Sequence, residues 1–124
     1  IPLYGDGLNV RDWSYVEDHV DAQEQAACRG ESGRRDCRPG YGERTNREVV
    51  ECICSHLDHL KQDGAPHARL ITRVTDRPGH DRRYAMDPTR IETELGWRPR
   101  HDFSTAIEAT VRWYLEHQSW ISSS

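Results

Sequence analysis

Between Arg29 and Gly42 the chain reads Arg-Gly-Glu-Ser-Gly-Arg-Arg-Asp-Cys-Arg-Pro-Gly-Tyr-Gly, without one aliphatic residue. Such a run cannot supply a buried face, so it is expected to be a loop or disordered. The core must come from what flanks it, and the flanks are lean. Hydrophobic residues make up 35% of the chain and charged residues 31%, with a mean hydropathy of −0.93. The 124 residues amount to one domain, which should bury about two thirds of its unfolded surface. One Phe and one Met leave little apolar surface for that. Either the exterior is very polar or the chain is part of something larger, and the opening Ile1-Pro2-Leu3-Tyr4 reads like the interior of a longer protein.

Before the aliphatic-free run, Gly5-Asp6-Gly7 marks a turn between two short extended pieces. Arg11 to Val16 alternates like a strand, with Trp13 and Tyr15 on one face. Glu17 and Asp18 suit a first helical turn, and Val16, Val20, Gln23 and Ala27 would form the inner face of a weak helix. After the run, Thr45 and Glu48 are spaced as a capping box. Val49, Val50, Ile53 and Leu57 then recur at helical intervals, which predicts a helix over 46–60. Asp63-Gly64-Ala65-Pro66 is a turn, and Ala68 to Val74 reads as a strand. Asp87-Pro88 opens a helix through Ile91 and Leu95 that stops at Gly96. The clearest helix spans Phe103 to Gln118, with Ile107, Val111, Tyr114 and Leu115 on one face and a fraying Ser122-Ser123-Ser124 tail. Trp97, Trp113 and Trp120 are assigned to packing.

A net charge of −4 and a pI near 6.0 argue against nucleic acid as a partner. No apolar run approaches the roughly 20 residues that cross a membrane, so no membrane partner is expected. Cys28, Cys37, Cys52 and Cys54 form no CxxC pair. Cys52 and Cys54, two apart on a helix, point about 200° apart and cannot readily share a metal or a bond. Reduced, structural cysteines in a cytoplasmic protein are expected. His56 and His59 lie one helical turn apart, but no third ligand is evident, and no metal site is assigned.

One segment exceeds what a turn requires. Asp76-Arg77-Pro78-Gly79-His80-Asp81-Arg82-Arg83-Tyr84 places three arginines and a histidine around a Pro-Gly pair. Guanidinium groups grip phosphate through paired hydrogen bonds, so the cluster suits a phosphorylated, polar ligand. The alternative is a solvated, charged loop.

The motifs join in order: Tyr4-Gly5-Asp6-Gly7-Leu8-Asn9-Val10-Arg11-Asp12-Trp13, Tyr15-Val16-Glu17-Asp18-His19, Asp76 to Tyr84, Glu94-Leu95-Gly96-Trp97 and Trp113-Tyr114-Leu115. In that order and spacing they closely resemble the C-terminal part of the dTDP-glucose 4,6-dehydratases, which are extended short-chain dehydrogenase/reductases of the epimerase/dehydratase family. The Arg-Asp-Trp and Tyr-Val-Glu-Asp-His pieces are common to many sugar-nucleotide epimerases and dehydratases. The Asp76–Tyr84 segment followed by Glu94-Leu95-Gly96-Trp97 is more specific to the dTDP-glucose branch. The resemblance covers nearly all of the chain outside roughly 20–41.

The resemblance implies an α/β fold class: the C-terminal substrate-binding portion of an extended, Rossmann-type enzyme, mainly helices with a few short strands. Residues 1–124 would be that nucleotide-sugar-binding part, with the Rossmann domain absent. NAD and the catalytic residues would belong to that Rossmann domain, separate or upstream. No GxxGxxG fingerprint and no Tyr-x-x-x-Lys pair is present, and the sole lysine is Lys61. The implied reaction is loss of water from dTDP-glucose to give dTDP-4-keto-6-deoxyglucose: NAD oxidises C4, water leaves across C5–C6, and hydride returns to C6. By the same resemblance Pro2, Leu3 and Tyr4 pack along the nucleotide, Arg11 reaches the diphosphate, and Asn46 lies at the start of its helix. Asp76, Arg77, Pro78, Gly79 and His80 close over the nucleotide sugar. None of these is a catalytic residue.

Structural roles compete. Tyr4 and Trp13 could be core aromatics, Arg11 could pair with Asp12 or Glu17, and Asn46 could serve only its helix. Arg82 and Arg83 are expected to pair with Asp81 or Asp87. The family has leucines at the positions of Gln23 and Ala27, then a strand resembling Tyr-Asn-Ile-Gly-Gly where this chain has Asp36-Cys37-Arg38-Pro39-Gly40. Proline and charge are disfavoured in a central strand. Residues 20–42 are therefore expected to be degenerate or disordered, through divergence or a locally shifted reading frame. Other functions consistent with the residues are a decayed fragment that binds nucleotide sugars weakly at most, or another epimerase/dehydratase of the family. The ligand in each case is dTDP-glucose or a related nucleotide sugar.

Overall fold

A computed structural model describes residues 1–33, 37 and 40–122. The charge and proline noted at Asp36, Arg38 and Pro39, and the Ser123-Ser124 tail, lie outside the described residues. Two short strand pairs organise the site. Strand β1 (Pro2–Tyr4) runs parallel to β4 (Thr72–Val74), with Pro2 opposite Thr72 and Tyr4 opposite Val74. Strand β2 (Val10–Asp12) is antiparallel to β3 (Glu43–Thr45), with Val10 opposite Thr45 and Asp12 opposite Glu43. The expected strand through Val16 thus ends at Asp12. Trp13 N–H still reaches Gly42 O at 3.3 Å, and Val16 already opens a helix. On the other side of β2, Val10 N–H donates to Arg82 O at 2.8 Å and Val10 O accepts from Tyr84 N–H at 3.1 Å.

Helix α1 (Val16–Arg29) is regular throughout, so residues 20–29 are helical. Its inner face is not the expected one. Val16, Val20, Gln23 and Ala27 are all exposed, while Asp18 and Ala22 are buried. Ala22 packs with Ile91, Leu95 and Trp97, and Ala26 leans against that cluster. Small alanine side chains let α1 approach α3 (Thr89–Leu95) closely, and Asp21 Oδ2 accepts the Trp97 indole N–H at 2.8 Å. The buried indole is therefore satisfied. Helix α3 begins at Thr89 with Pro88 at its N-cap position, one residue later than the sequence placed the start, and Asp87 Oδ1 accepts Thr89 N–H at 2.9 Å. Gly96 ends the helix in the left-handed region at φ 67°.

Helix α2 (Asn46–Leu60) has the bounds its pattern predicted, and both halves of the Thr45/Glu48 capping box are formed. It packs against α4 (Phe103–Glu116) and against a 3-10 turn over His67–Leu70. That turn replaces the first half of the strand expected from Ala68, so only Thr72–Val74 is extended. The chain closes with α5 (Gln118–Ser122). Among the described residues no helix is long and apolar enough to cross a membrane.

Candidate functional site

Arg11 is the hub. The pairing of β2 with the 82–84 segment brings the end of the Asp76–Tyr84 cluster alongside it, although the two are 69 or more positions apart in sequence. The Arg11 guanidinium donates from Nη1 to Val10 O at 2.7 Å, and from Nη2 to Asp81 O at 3.1 Å and to His80 Nε2 at 3.0 Å. Its flat face lies 4.5 Å from the centroid of the Tyr84 ring, within cation–π range. Neither Asp12 nor Glu17 is its partner. Of five N–H donors on a guanidinium, those at Nε and one at Nη1 remain uncommitted.

The rest of the cluster braces this arrangement. Asp76 Oδ1 accepts His80 Nδ1–H at 2.6 Å and the Arg77 amide at 2.9 Å. The Tyr84 hydroxyl donates to Asp81 Oδ2, and that bond, with burial and the nearby Asp81 charge, raises its pKa. Asn9, 2% exposed, donates to the same Asp81 carbonyl at 3.1 Å. Gly5 makes Asp76 possible: its φ is +57°, and a Cβ there would sit 2.9 Å from Asp76 Oδ2. Arg77, Pro78 and Gly79 are exposed. Among the described residues the Arg77 guanidinium has no hydrogen-bond partner, which leaves a free cation at the tip of the loop.

Arg82 and Arg83 leave the cluster. Arg82 pairs with Asp6 at 3.0 Å, and Arg83 pairs with Glu43 at 2.6 Å; neither meets Asp81 or Asp87. Both partners lie far away in sequence, which local spacing cannot anticipate. The Asp6 carboxyl is held below its ordinary pKa by the Leu8 amide, against a burial effect, with help from Arg82.

The other candidates line a different wall. Pro2, Leu3, Tyr4 and Asn46 border a groove of about 980 Å³ whose remaining surface is largely apolar, including Trp13, Ile53, Ile107 and Trp113. Leu3 is buried, while Pro2 and Tyr4 face outward. Tyr4 and Trp13 are 47% and 39% exposed, so neither is a core aromatic. Trp113 and Trp120 are also exposed. They pack on each other, on Tyr114 and on His117 rather than into a core. The groove and the arginine cluster adjoin through backbone: Gly5 N–H donates to Val74 O at 2.9 Å, and Asn46 N–H donates to Asn9 O at 3.0 Å. The structure thus brings Arg11, Asp76 and His80 into contact, and sets Pro2 to Tyr4 and Asn46 on the adjacent wall.

Sequence reasoning counted Asp81 and Tyr84 in the charged segment but gave neither a site role, and it did not single out Asn9; the β2 pairing reveals what they do. His56 is half-buried and His59 exposed. Among the described residues no group of three or more His, Cys, Asp or Glu could hold a metal.

The GDP-mannose 4,6 dehydratase family model matches residues 1–110. A dTDP-glucose 4,6-dehydratase of Xanthomonas campestris pv. campestris (strain B100) is 46% identical over 123 residues, which is 98% of this chain and 35% of that protein. The crystal structure of the dTDP-glucose 4,6-dehydratase of Bacillus anthracis, in complex with NAD, is 42% identical. It superposes with a TM-score of 0.80 over 96% of this chain and 35% of its own. The Streptomyces venezuelae dTDP-glucose 4,6-dehydratase is 38% identical with a TM-score of 0.82, over 97% of this chain and 35% of its own. The chain thus spans about a third of the length of the relatives it matches, and its fold is that of the C-terminal part of these dehydratases. The residues described do not fit a dinucleotide. The glycine turn after β1 leads into β2 and not into a helix N-terminus, so the phosphate cradle of a dinucleotide fold is not built here.

Proposed function

The chain belongs to the GDP-mannose 4,6 dehydratase family, and on that premise we propose that it is the substrate-binding part of a dTDP-glucose 4,6-dehydratase, which converts dTDP-glucose to dTDP-4-keto-6-deoxyglucose and water. The observation that carries this is Arg11. It is a half-buried guanidinium held on three acceptors and an aromatic face, with donors left over for a diphosphate. Arg77, without a hydrogen-bond partner for its guanidinium among the described residues, adds a second cation from the loop. Asp76, Pro78, Gly79 and His80 shape that loop as a cover over the sugar. Pro2, Leu3, Tyr4 and Asn46 form the wall along the nucleotide.

NAD, present in the B. anthracis structure, belongs in this proposal to a Rossmann-type domain separate from the residues described here. That domain is also the occupant we assign to the part of the apolar groove around Val16, Trp113 and Trp120, beside the wall that follows the nucleotide. Support comes from the share of the relatives' length that this chain spans, and from the exposure of Val16, Trp113 and Trp120 at the groove. The four unbridged cysteines fit a cytoplasmic setting.

Calorimetric titration with dTDP-glucose is the test. Binding that Arg11→Ala weakens at least about tenfold supports the assignment; undiminished binding by that variant, or none by the wild type, refutes it. The division of labour has its own check. Water loss catalysed by the 124-residue chain alone would overturn the placing of catalysis outside it.

A further inference from the structure

A guanidinium has no hydrogen-bond acceptor. The 3.0 Å contact between Arg11 Nη2 and His80 Nε2 therefore requires Nε2 to accept, with its lone pair free. A carboxylate has no donor, so the 2.6 Å contact of His80 Nδ1 with Asp76 Oδ1 requires the ring proton on Nδ1. The two contacts together allow one neutral imidazole tautomer. Placing a proton on Nε2 would set a donor against a donor, beside a fixed positive charge. The imidazole is 9% exposed, so water does not readily take over either role.

We propose that His80 and Asp76 are positioning residues for Arg11 and do not themselves hold the ligand. Asp76 selects the Nδ1–H tautomer of His80, and His80 Nε2 then fixes the Arg11 guanidinium so that its uncommitted donors face the diphosphate. The effect on diphosphate binding rests on the function proposed above, but the relay itself is a property of the protein alone. Gly5 takes part: its lack of a Cβ gives Asp76 room to stand 2.6 Å from the ring. The assignment departs from a direct role for His80 over the nucleotide sugar, because both of its ring nitrogens are already occupied.

Two measurements on the whole chain test this. The first is nitrogen-15 NMR of the protein labelled at histidine, at neutral pH without ligand. The wild type should show His80 as the Nδ1–H tautomer, and Asp76→Ala should shift it toward Nε2–H. An Nε2–H tautomer in the wild type overturns the proposal, as does an Asp76→Ala spectrum unchanged at His80. The second is a double-mutant cycle in dTDP-glucose affinity. His80→Leu should weaken binding about tenfold. His80→Gln, whose amide oxygen can take the Nε2 role, should stay within about threefold of wild type. His80→Leu in an Arg11→Ala background should cost nothing more. Additive losses would mean that His80 contacts the ligand directly, and would overturn the positioning role. If the folded wild type binds no dTDP-glucose, the proposed function falls while the tautomer measurement still decides the relay.

Discussion

The Asp18 carboxylate reaches across from the first turn of α1 to accept the backbone N–H of Arg100 at 3.0 Å. It also accepts the His101 amide at 3.2 Å and the His101 ring Nδ1–H at 3.0 Å. One acidic side chain, 3% exposed, thus ties α1 to the turn that launches α4. Asp18→Ala strands two backbone donors in a half-buried site, at a cost of about 1–3 kcal/mol for each unsatisfied group. Urea denaturation of that variant should show a loss of about 2–6 kcal/mol.

The same residue predicts an acid response. Burial opposes ionisation of Asp18, but the amides and ring of Arg100 and His101 outweigh it, and the folded pKa lies below the ordinary value. The unfolded chain therefore takes up the proton first. The stabilisation is complete above about pH 3.9, the ordinary aspartate value, and disappears as pH falls through the lower folded pKa. Wild type should lose stability below about pH 4 more steeply than Asp18→Asn, which has no carboxyl to titrate. Equal slopes in a pH series of denaturation midpoints would contradict this.

The start of α2 makes a local prediction. Glu48 N–H donates to Thr45 Oγ1 at 3.1 Å, and Thr45 N–H donates to Glu48 Oε2 at 2.7 Å. Replacing Thr45 by Ala removes one arm, and should cost about 1 kcal/mol in chemical denaturation. Thr45→Ser keeps the oxygen and should recover most of the loss. A Thr45→Ala variant as stable as wild type would mean that α2 is held by packing on α4 alone.

The contrast between α2 and α1 explains what could be read from the residues. Helix α2 announces itself because its cap and its Val49, Val50, Ile53, Leu57 stripe are local and agree. Helix α1 was found but turned the wrong way. The apolar rule selects Val16 and Val20, which stand 64% and 53% exposed, whereas the buried side is built on Ala22, Ala26 and two aspartates whose partners lie beyond residue 96. Burial of a carboxylate depends on distant amides, and no period records them. The site divides in the same way. The Arg77-Pro78-Gly79-His80 loop was legible from its composition. The Arg11–His80 contact, the exit of Arg82 to Asp6 and of Arg83 to Glu43, and the part of Tyr84 all follow from strand placement. The tryptophans at 113 and 120 do pack, but on neighbouring rings at the edge of a groove and not in a core, a distinction that residue type alone does not carry.

The cysteines offer a chemical probe of the fold. Cys54 is 2% exposed, and burial, with Asp58 adding to it, pushes its thiol pKa up. Burial likewise raises that of half-buried Cys52. Cys28 and Cys37 are exposed. Thiolate is the reactive form, so a disulfide-exchange reagent at pH 8 should modify Cys28 and Cys37 first and Cys54 only on unfolding. Peptide mapping of a brief reaction checks the order. Early labelling of Cys54 would mean that the α2–α4 layer opens readily.

Gly5 provides the sharpest test of the site's architecture, because its substitution leaves every named ligand-facing side chain in place. A Cβ at this position meets Asp76 Oδ2 at 2.9 Å, and the backbone sits at φ +57°, where side chains other than glycine are strained by about 1–2 kcal/mol. The carboxylate must then move, and its bond to His80 Nδ1 goes with it. Gly5→Ala should weaken dTDP-glucose binding by about tenfold, a loss of about 1.4 kcal/mol, beyond its effect on folding. Gly96 separates the two effects: it is also left-handed, at φ +67°, but nothing lies within 4 Å of its Cβ position, and it ends α3 outside the arginine cluster. Gly96→Ala carries comparable backbone strain without the collision, so it should lose stability but bind more tightly than Gly5→Ala. Equal binding by the two variants would mean that the placement of Asp76 does not control the arginine cluster.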